Sequence, residues 1–143
     1  MGEGTTDTMQ MNSSGYRPSR PAAVAAEGRV HSLIDLLNLR AAAEPSQIAY
    51  TTIDDQANEA LSVTYQELHE RASTIGAYLQ RVNAAGSRAI LLYPAGLDYI
   101  AAFFGCLKGG VVPVPAFPPR PNRRNERLEA IVLDATPTLA LTT

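Results

Sequence analysis

The stretch from Arg88 to Pro121 constrains the fold most, because strand, helix and strand signals follow one another within it. The apolar run Ala89–Tyr93 has the length of a strand, and a Pro-Ala-Gly turn interrupts it. Apolar residues then recur at helical spacing from Leu97 to Leu107, and the pair Gly109-Gly110 can adopt the positive φ that ends a helix. A second apolar run follows directly. This order predicts a βαβ unit.

Neither apolar run alternates with polar residues, which is typical of strands covered on both faces in a parallel sheet. Prolines crowd the second run and the turn after it: Pro113, Pro115, Pro118, Pro119 and Pro121. Because proline donates no ladder hydrogen bond, this strand is predicted to be short or to lie at a sheet edge. We therefore predict an α/β fold with a mainly parallel sheet flanked by helices.

The region before the βαβ unit carries signals for a helix and a hairpin. Ser32 is a predicted N-cap and Pro45 ends the helix, one face of which carries Leu33, Leu36, Leu37 and Arg40. Two strand-like runs, 47–53 and 61–64, flank a polar turn at 54–59. The pattern predicts an antiparallel hairpin.

Two further helices and a final strand are predicted. Thr64 to Glu67 reads as a capping box, and the helix after it carries an apolar stripe of Leu68, Ala72, Ile75, Leu79 and Val82. Helical spacing resumes from Arg123 to Asp134, Pro137 ends that helix, and the run 138–143 is a predicted strand.

Composition narrows the class of protein. A chain of 143 residues with net charge −2 and 45% hydrophobic residues is typical of one globular domain and offers no bulk charge for nucleic acid or an anionic membrane. The most apolar run, Tyr93–Leu107, contains Asp98 and is too short for a membrane span. The single cysteine, Cys106, excludes an internal disulfide and fits a reducing compartment, so a cytoplasmic location is expected. No signal peptide is evident.

Residues 1–30 mix Gly, Thr, Ser, Pro and Ala without periodicity, which predicts a disordered tail. A docking segment for a partner is the alternative for this tail. Residues 31–143 then form the predicted folded region.

Residues that could carry chemistry are scattered. There is no Gly-rich phosphate loop, and His31 and His69 are far apart and predicted at exposed helix edges, so no metal site is expected. Cys106 lies within an apolar helix, where a buried hydrophobe is favoured over a reactive thiol.

One local basic patch, formed by Arg120, Arg123, Arg124 and Arg127 and offset by Glu126, could meet a phosphate group. A solvated loop and helix start is the favoured interpretation. The glutamates at 67, 70, 126 and 129 are interpreted as capping and surface residues. No catalytic, cofactor-binding or metal-binding residue is therefore predicted.

Two segments nevertheless resemble a known family. They are TYQELHERASTIGAYL, from Thr64, and AILLYPAGLDYIAAFFGCLKGGVVPVPAFPPRPNRRNERLEAIVLDATPTLALTT, from Ala89. Together they resemble the N-terminal part of the acyl-adenylate-forming ligase superfamily. The runs LLYPAGLDYIAAFFGCL and VPAFPPRPNRRNERL are similar to fatty acyl-AMP ligases that load polyketide or nonribosomal peptide assembly lines. Departures from that pattern are Ala95 for a second proline, Lys108-Gly109 for Tyr-Ala, and Phe117 for tyrosine.

The resemblance implies that residues 31–143 are an incomplete N-terminal subdomain of an AMP-binding domain. The whole enzyme would activate a fatty acid with ATP and Mg²⁺ to an acyl-adenylate and pass the acyl group to an acyl carrier protein thiol. The family's phosphate loop, ribose-binding Asp and catalytic Lys would lie beyond Thr143, so this chain alone is expected to be inactive and truncated.

Two other functions are alternatives to this one. A truncated, non-catalytic interaction module would use the basic turn or the tail. An independent small nucleotide-binding protein is disfavoured, because the phosphate loop that it needs is absent from the sequence.

Overall fold

The computed structural model describes residues 30–53, 59–119 and 125–143. Within those ranges the elements in order are α1 (Leu33–Ala43), β1 (Ile48–Ile53), β2 (Glu59–Thr64), α2 (Tyr65–Arg81), β3 (Arg88–Leu92), α3 (Leu97–Gly109), β4 (Val112–Ala116), α4 (Glu126–Ala135) and β5 (Leu139–Thr142). The type of every one of these elements agrees with the sequence pattern. The proposed tail at 1–29 and most of the polar turn, at 54–58, lie outside the described residues.

The strands form two separate sheets. Strands β1 and β2 pair antiparallel, which confirms the predicted hairpin. The other three strands form a parallel sheet in the order β4-β3-β5. Ala89 on the central strand is opposite Pro113 on one side and Leu139 on the other. The proline-containing β4 lies at an edge of this described sheet, as predicted.

The two crossover helices lie on opposite faces of the parallel sheet. Helix α3 connects β3 to β4, and α4 then connects β4 to β5 on the far side of β3. Since these crossovers run in opposite directions and nearly all such crossovers are right-handed, α3 and α4 must cover different faces. The sheet face that α3 covers is better packed than the face that α4 covers. Ala89 and Leu91 lie fully buried there in one cluster with Cys106. Helix α4 has no fully buried residue.

Helices α2 and α3 pack closely because glycines line their contact. A Cβ atom added at Gly105 would lie 2.5 Å from Cγ2 of Ile75, and one added at Gly109 would lie 3.0 Å from Cβ of Leu79. From α2, a Cβ atom at Gly76 would lie 2.9 Å from Cβ of Lys108. These positions have room for hydrogen only, so the two helix backbones can approach more closely than larger residues would allow.

The helix ends follow the sequence signals. The Oγ of Ser32 accepts a hydrogen bond from the backbone N–H of Asp35 at 3.1 Å. Thr64 and Glu67 form the predicted capping box, in which the Glu67 N–H donates to Thr64 Oγ1 at 3.2 Å and the Thr64 N–H donates to Glu67 Oε2 at 2.9 Å. Helix α3 ends at Gly110, whose φ is 71°.

Removing the hydroxyl of the capping box should destabilise the chain measurably. We expect Thr64→Ala to lower the free energy of unfolding by about 1 kcal/mol, because the N–H of Glu67 loses its acceptor and the Glu67 carboxylate loses the hydrogen bond from the Thr64 hydroxyl. Urea unfolding at neutral pH measures this difference. Thr74→Ala is the matched control, since Thr74 Oγ1 donates only to the Glu70 carbonyl of the preceding turn. If Thr64→Ala lowered the free energy of unfolding no more than Thr74→Ala does, the capping role of Thr64 would be contradicted.

One member of the predicted stripe on α2 was assigned wrongly. Leu68, Ala72 and Leu79 are buried, but Val82 is 44% exposed. The reason is local: α2 ends at Arg81 and Val82 is its C-cap, so the side chain leaves the helix face that packs on α3. The fourth buried position of α2 is Gly76.

Candidate functional site

A crevice lies at the carboxyl ends of β3 and β4. In open α/β sheets, ligands bind where the connections of two adjacent strands leave toward opposite faces. Strands β3 and β4 meet this condition, since α3 and α4 cover different faces. A cavity of about 610 Å³ occupies this position. Its volume is in the range of small-molecule sites, so it is the candidate ligand-binding crevice of the described residues.

The lining of the crevice is mainly apolar, with a polar rim. Aromatic, proline and aliphatic side chains supply the walls: Tyr93, Tyr99, Pro115, Phe117, Leu128 and Ile131. The rim is the first turn of α4, which contributes Glu126 and Arg127. Arg127 forms no ion pair with any residue that the structure describes. The crevice therefore suits an apolar ligand with a small polar group better than a polyanion.

A second cavity of about 490 Å³ lies at the same sheet edge, beside β5. Arg71 and Thr74 of α2, Asp98 of α3 and Thr142 of β5 line it. Tyr93 borders both cavities, and burial raises the pKa of its hydroxyl. Tyr93 is therefore a neutral hydroxyl at the border of the two cavities.

Cys106 is buried and the four glutamates are exposed, as the sequence predicts. Cys106 is fully buried, and burial raises the pKa of its thiol to about 11, which makes it unreactive at neutral pH. Glu67 caps α2 and is exposed, and hydrogen bonds from Thr64 lower the pKa of its carboxyl. Glu70 accepts a hydrogen bond from Gln66 at 2.9 Å. The remaining two, Glu126 and Glu129, lie exposed in the first turn of α4.

The two histidines are not equivalent, and the interpretation of His69 as an exposed residue is wrong. His31 is exposed just before α1, but His69 is half-buried where α2 meets α3. Its Nδ1 lies 3.3 Å from Nζ of Lys108, which also donates to Asn38 and Ser73. Lys108 is distant in sequence from the other three residues, so no local sequence motif indicates this group.

The described residues contain no group of three His, Cys, Asp or Glu side chains that could hold a metal ion. Three members of the basic patch, Arg120, Arg123 and Arg124, lie outside the described residues, whereas Arg127 is on the crevice rim. Gly109 is the last residue of α3 and lies against α2, and Gly110 is the C-cap. Within the described ranges there is thus no Gly-rich loop that would hold a triphosphate and no carboxylate cluster that would hold Mg²⁺.

The sequence matches a model of an enzyme family described as AMP-binding enzyme over residues 37–143. The chain belongs to this family. Among curated relatives, it is 45% identical over 114 residues to a medium-chain-fatty-acid–[acyl-carrier-protein] ligase of Moorena producens, covering 78% of this chain and 19% of the relative. It is 39% identical over 102 residues to a long-chain-fatty-acid–AMP ligase of Mycobacterium tuberculosis, covering 69% of this chain and 18% of the relative.

Solved structures of this family share the fold. The fatty acid AMP ligase of Legionella pneumophila superposes with a TM-score of 0.71 at 33% sequence identity, covering 80% of this chain and 20% of that one. A structure titled as the N-terminal subdomain of NpsA from Klebsiella oxytoca superposes with a TM-score of 0.62 at 19% identity, covering 79% of this chain and 27% of that one, which supports the fold alone. The chain thus spans about a fifth of the length of its curated relatives. No helix in the described ranges has the length and apolar character needed to cross a membrane.

Proposed function

We propose that this chain is the N-terminal scaffold of a ligase that activates a fatty acid with ATP and transfers the acyl group to an acyl carrier protein. The observation that carries the proposal is the 45% identity to the fatty-acid–[acyl-carrier-protein] ligase of Moorena producens. Under this proposal, residues 31–143 are part of an AMP-binding domain and residues 1–30 are a separate tail. A cytoplasmic location is proposed with it, supported by a single cysteine that is buried and free.

The chemistry of acid activation assigns a limited role to these residues. The reaction needs donors that hold the triphosphate, a cation that offsets charge on the leaving pyrophosphate, and a positioned carboxylate. The described residues offer none of these three sets. They provide a well-packed contact between α3 and the parallel sheet, and an apolar crevice at the carboxyl ends of β3 and β4. The proposed role is therefore structural, and the chain alone is expected to be inactive.

The identity of the acyl acceptor is the part of this proposal that an experiment can decide most clearly. A longer product of the same reading frame is incubated with ATP, Mg²⁺, a panel of fatty acids and either a phosphopantetheine-loaded carrier protein or coenzyme A. Mass spectrometry of the intact carrier protein reports each added acyl group. We expect acylated carrier protein with little acyl-coenzyme A, whereas preferential formation of acyl-coenzyme A would contradict the carrier-protein assignment.

A further inference from the structure

Lys108 connects three helices through hydrogen bonds, and it forms no ion pair with any residue that the structure describes. The Nζ of Lys108, near the end of α3, lies 3.1 Å from Oδ1 of Asn38 on α1 and 3.0 Å from Oγ of Ser73 on α2. The third neighbour is Nδ1 of His69, also on α2, at 3.3 Å. The side chain of Lys108 is half-buried. It is the single described side chain that hydrogen-bonds to both α1 and α2 from α3.

With Lys108 as an ammonium group, its hydrogen bonds assign the protonation state of His69. An ammonium group has three N–H donors and no acceptor, and here each donor has one acceptor in reach. The hydroxyl of Ser73 donates to the His69 carbonyl at 2.6 Å, so its oxygen is free to accept from Lys108. Nδ1 of His69 must then carry a lone pair, which places the ring proton on Nε2 in a neutral imidazole.

The charges around His69 offset a second positive charge only in part, through Glu70, and that effect is smaller than those of burial and of Lys108. From α3 it faces Lys108, and from α1 it faces the neutral Asn38. On α1 the charged side chains are engaged elsewhere, since Arg40 pairs with Glu44 and Asp35 accepts from the start of its own helix. On α2 the neighbouring carboxylate, Glu70, accepts from Gln66. Strand β1 contains no charged residue, and neither do residues 61–64, the part of β2 whose side chains are described.

We propose that His69 and Lys108 form a proton-operated latch, which holds α1 against α2 and α3 while His69 is neutral and releases it when His69 is protonated. Protonation places a hydrogen on the nitrogen that now accepts from Lys108, and it brings two cations within 3.3 Å of each other. Lys108 must then turn away. Its departure also breaks the hydrogen bond to Asn38.

Helix α1 is the element that would respond, because little else attaches it. Leu37 is its one buried residue, while Leu33 and Leu36 are exposed. Losing the Asn38 contact leaves α1 with Leu37 as its one buried side chain, beside the half-buried Ile34 and Leu39. Helices α2 and α3, by contrast, are held together by their own buried apolar residues.

The direction of the pH response follows from the same contacts. Burial, followed by the charge of Lys108, lowers the pKa of His69 below its usual 6.5. The unfolded chain therefore takes up a proton before the folded chain does, and stability that is complete above pH 6.5 declines as the pH falls below that value. Asp35 and Glu67, whose carboxyl pKa values are lowered from 3.8 and 4.5, lose their contributions only in more acidic solution.

Hydrogen exchange of the unmodified 143-residue chain tests the latch directly. We expect the amides of α1, corrected for intrinsic pH dependence, to lose protection several-fold between pH 7.5 and 5.5. The amides of α3 should keep theirs. Equal protection of α1 at both pH values would overturn the proposal, and so would an equal loss in α1 and α3.

Variants separate the latch from a merely structural contact. In His69→Gln the side chain still accepts from Lys108 but cannot be protonated, so α1 should keep its protection at pH 5.5. His31→Gln is the matched control, since it removes the chain's other histidine, and it should retain the acid response.

Lys108→Met is the second variant: without the ammonium charge, the NMR titration of His69 should move to higher pH. An unshifted titration, or an acid response in His69→Gln, would overturn the proposal.

Discussion

Replacing Gly105 by valine is expected to lower the free energy of unfolding by roughly 3 kcal/mol. A Cβ atom at this position would lie 2.5 Å from Cγ2 and 2.6 Å from Cβ of Ile75. Both atoms belong to the stiff part of a β-branched side chain, so the collision cannot be relieved by rotating a flexible tip. Helix α3 would have to move away from α2, which opens the contact along which Gly76 and Gly109 also lie.

Urea unfolding of the variant and the parent chain measures the loss. Ala77→Val is the matched control, because it introduces the same residue at an exposed position of α2. The free energy of unfolding of this control should fall only by the difference in helix propensity between alanine and valine, about 0.5 kcal/mol. If Gly105→Val cost no more than this control, the close approach of the two helices would be refuted.

Replacing Phe104 by aspartate is expected to cost about 3 kcal/mol or more, through the burial of a charge and the loss of packing. Phe104 is half-buried on α3 and packs on the cluster that includes Leu37 and Leu68. Its ring also meets that of Phe103 edge to face, with 6.0 Å between centroids. An aspartate would lose both contacts and place a carboxylate against apolar side chains.

A thermal melt of each variant checks this prediction. Phe104→Leu keeps an apolar side chain and should cost less than about 1.5 kcal/mol. A melting temperature for Phe104→Asp as high as that of Phe104→Leu would show that this face of α3 is not packed on α1 and α2.

Much of the fold could be predicted because its signals are local. An apolar run without alternation predicts β3, apolar residues at helical spacing predict α3, and Gly110 caps that helix with a positive φ. The capping box at Thr64 and the edge position of the proline-rich β4 depend on neighbours within a few residues. Each of these features is decided by backbone chemistry that the sequence shows directly.

The remaining features depend on contacts between distant residues. The crevice exists because β5 pairs with β3 on the side opposite β4, and no local pattern specifies that order. The glycines of α2 and α3 matter through the crossing of the two helices, which spacing alone does not reveal. His69 and Lys108 are 39 residues apart, and no local sequence pattern indicates that they are in contact.

Pyrophosphate release tests the central claim most directly: that this chain is the scaffold of a ligase whose chemistry resides in other residues. ATP, Mg²⁺ and a panel of fatty acids are supplied in parallel to the 143-residue chain and to a longer product of the same reading frame. The account predicts acid-dependent release by the longer product and none by the chain alone. Release by the chain alone, or by neither protein, would contradict it.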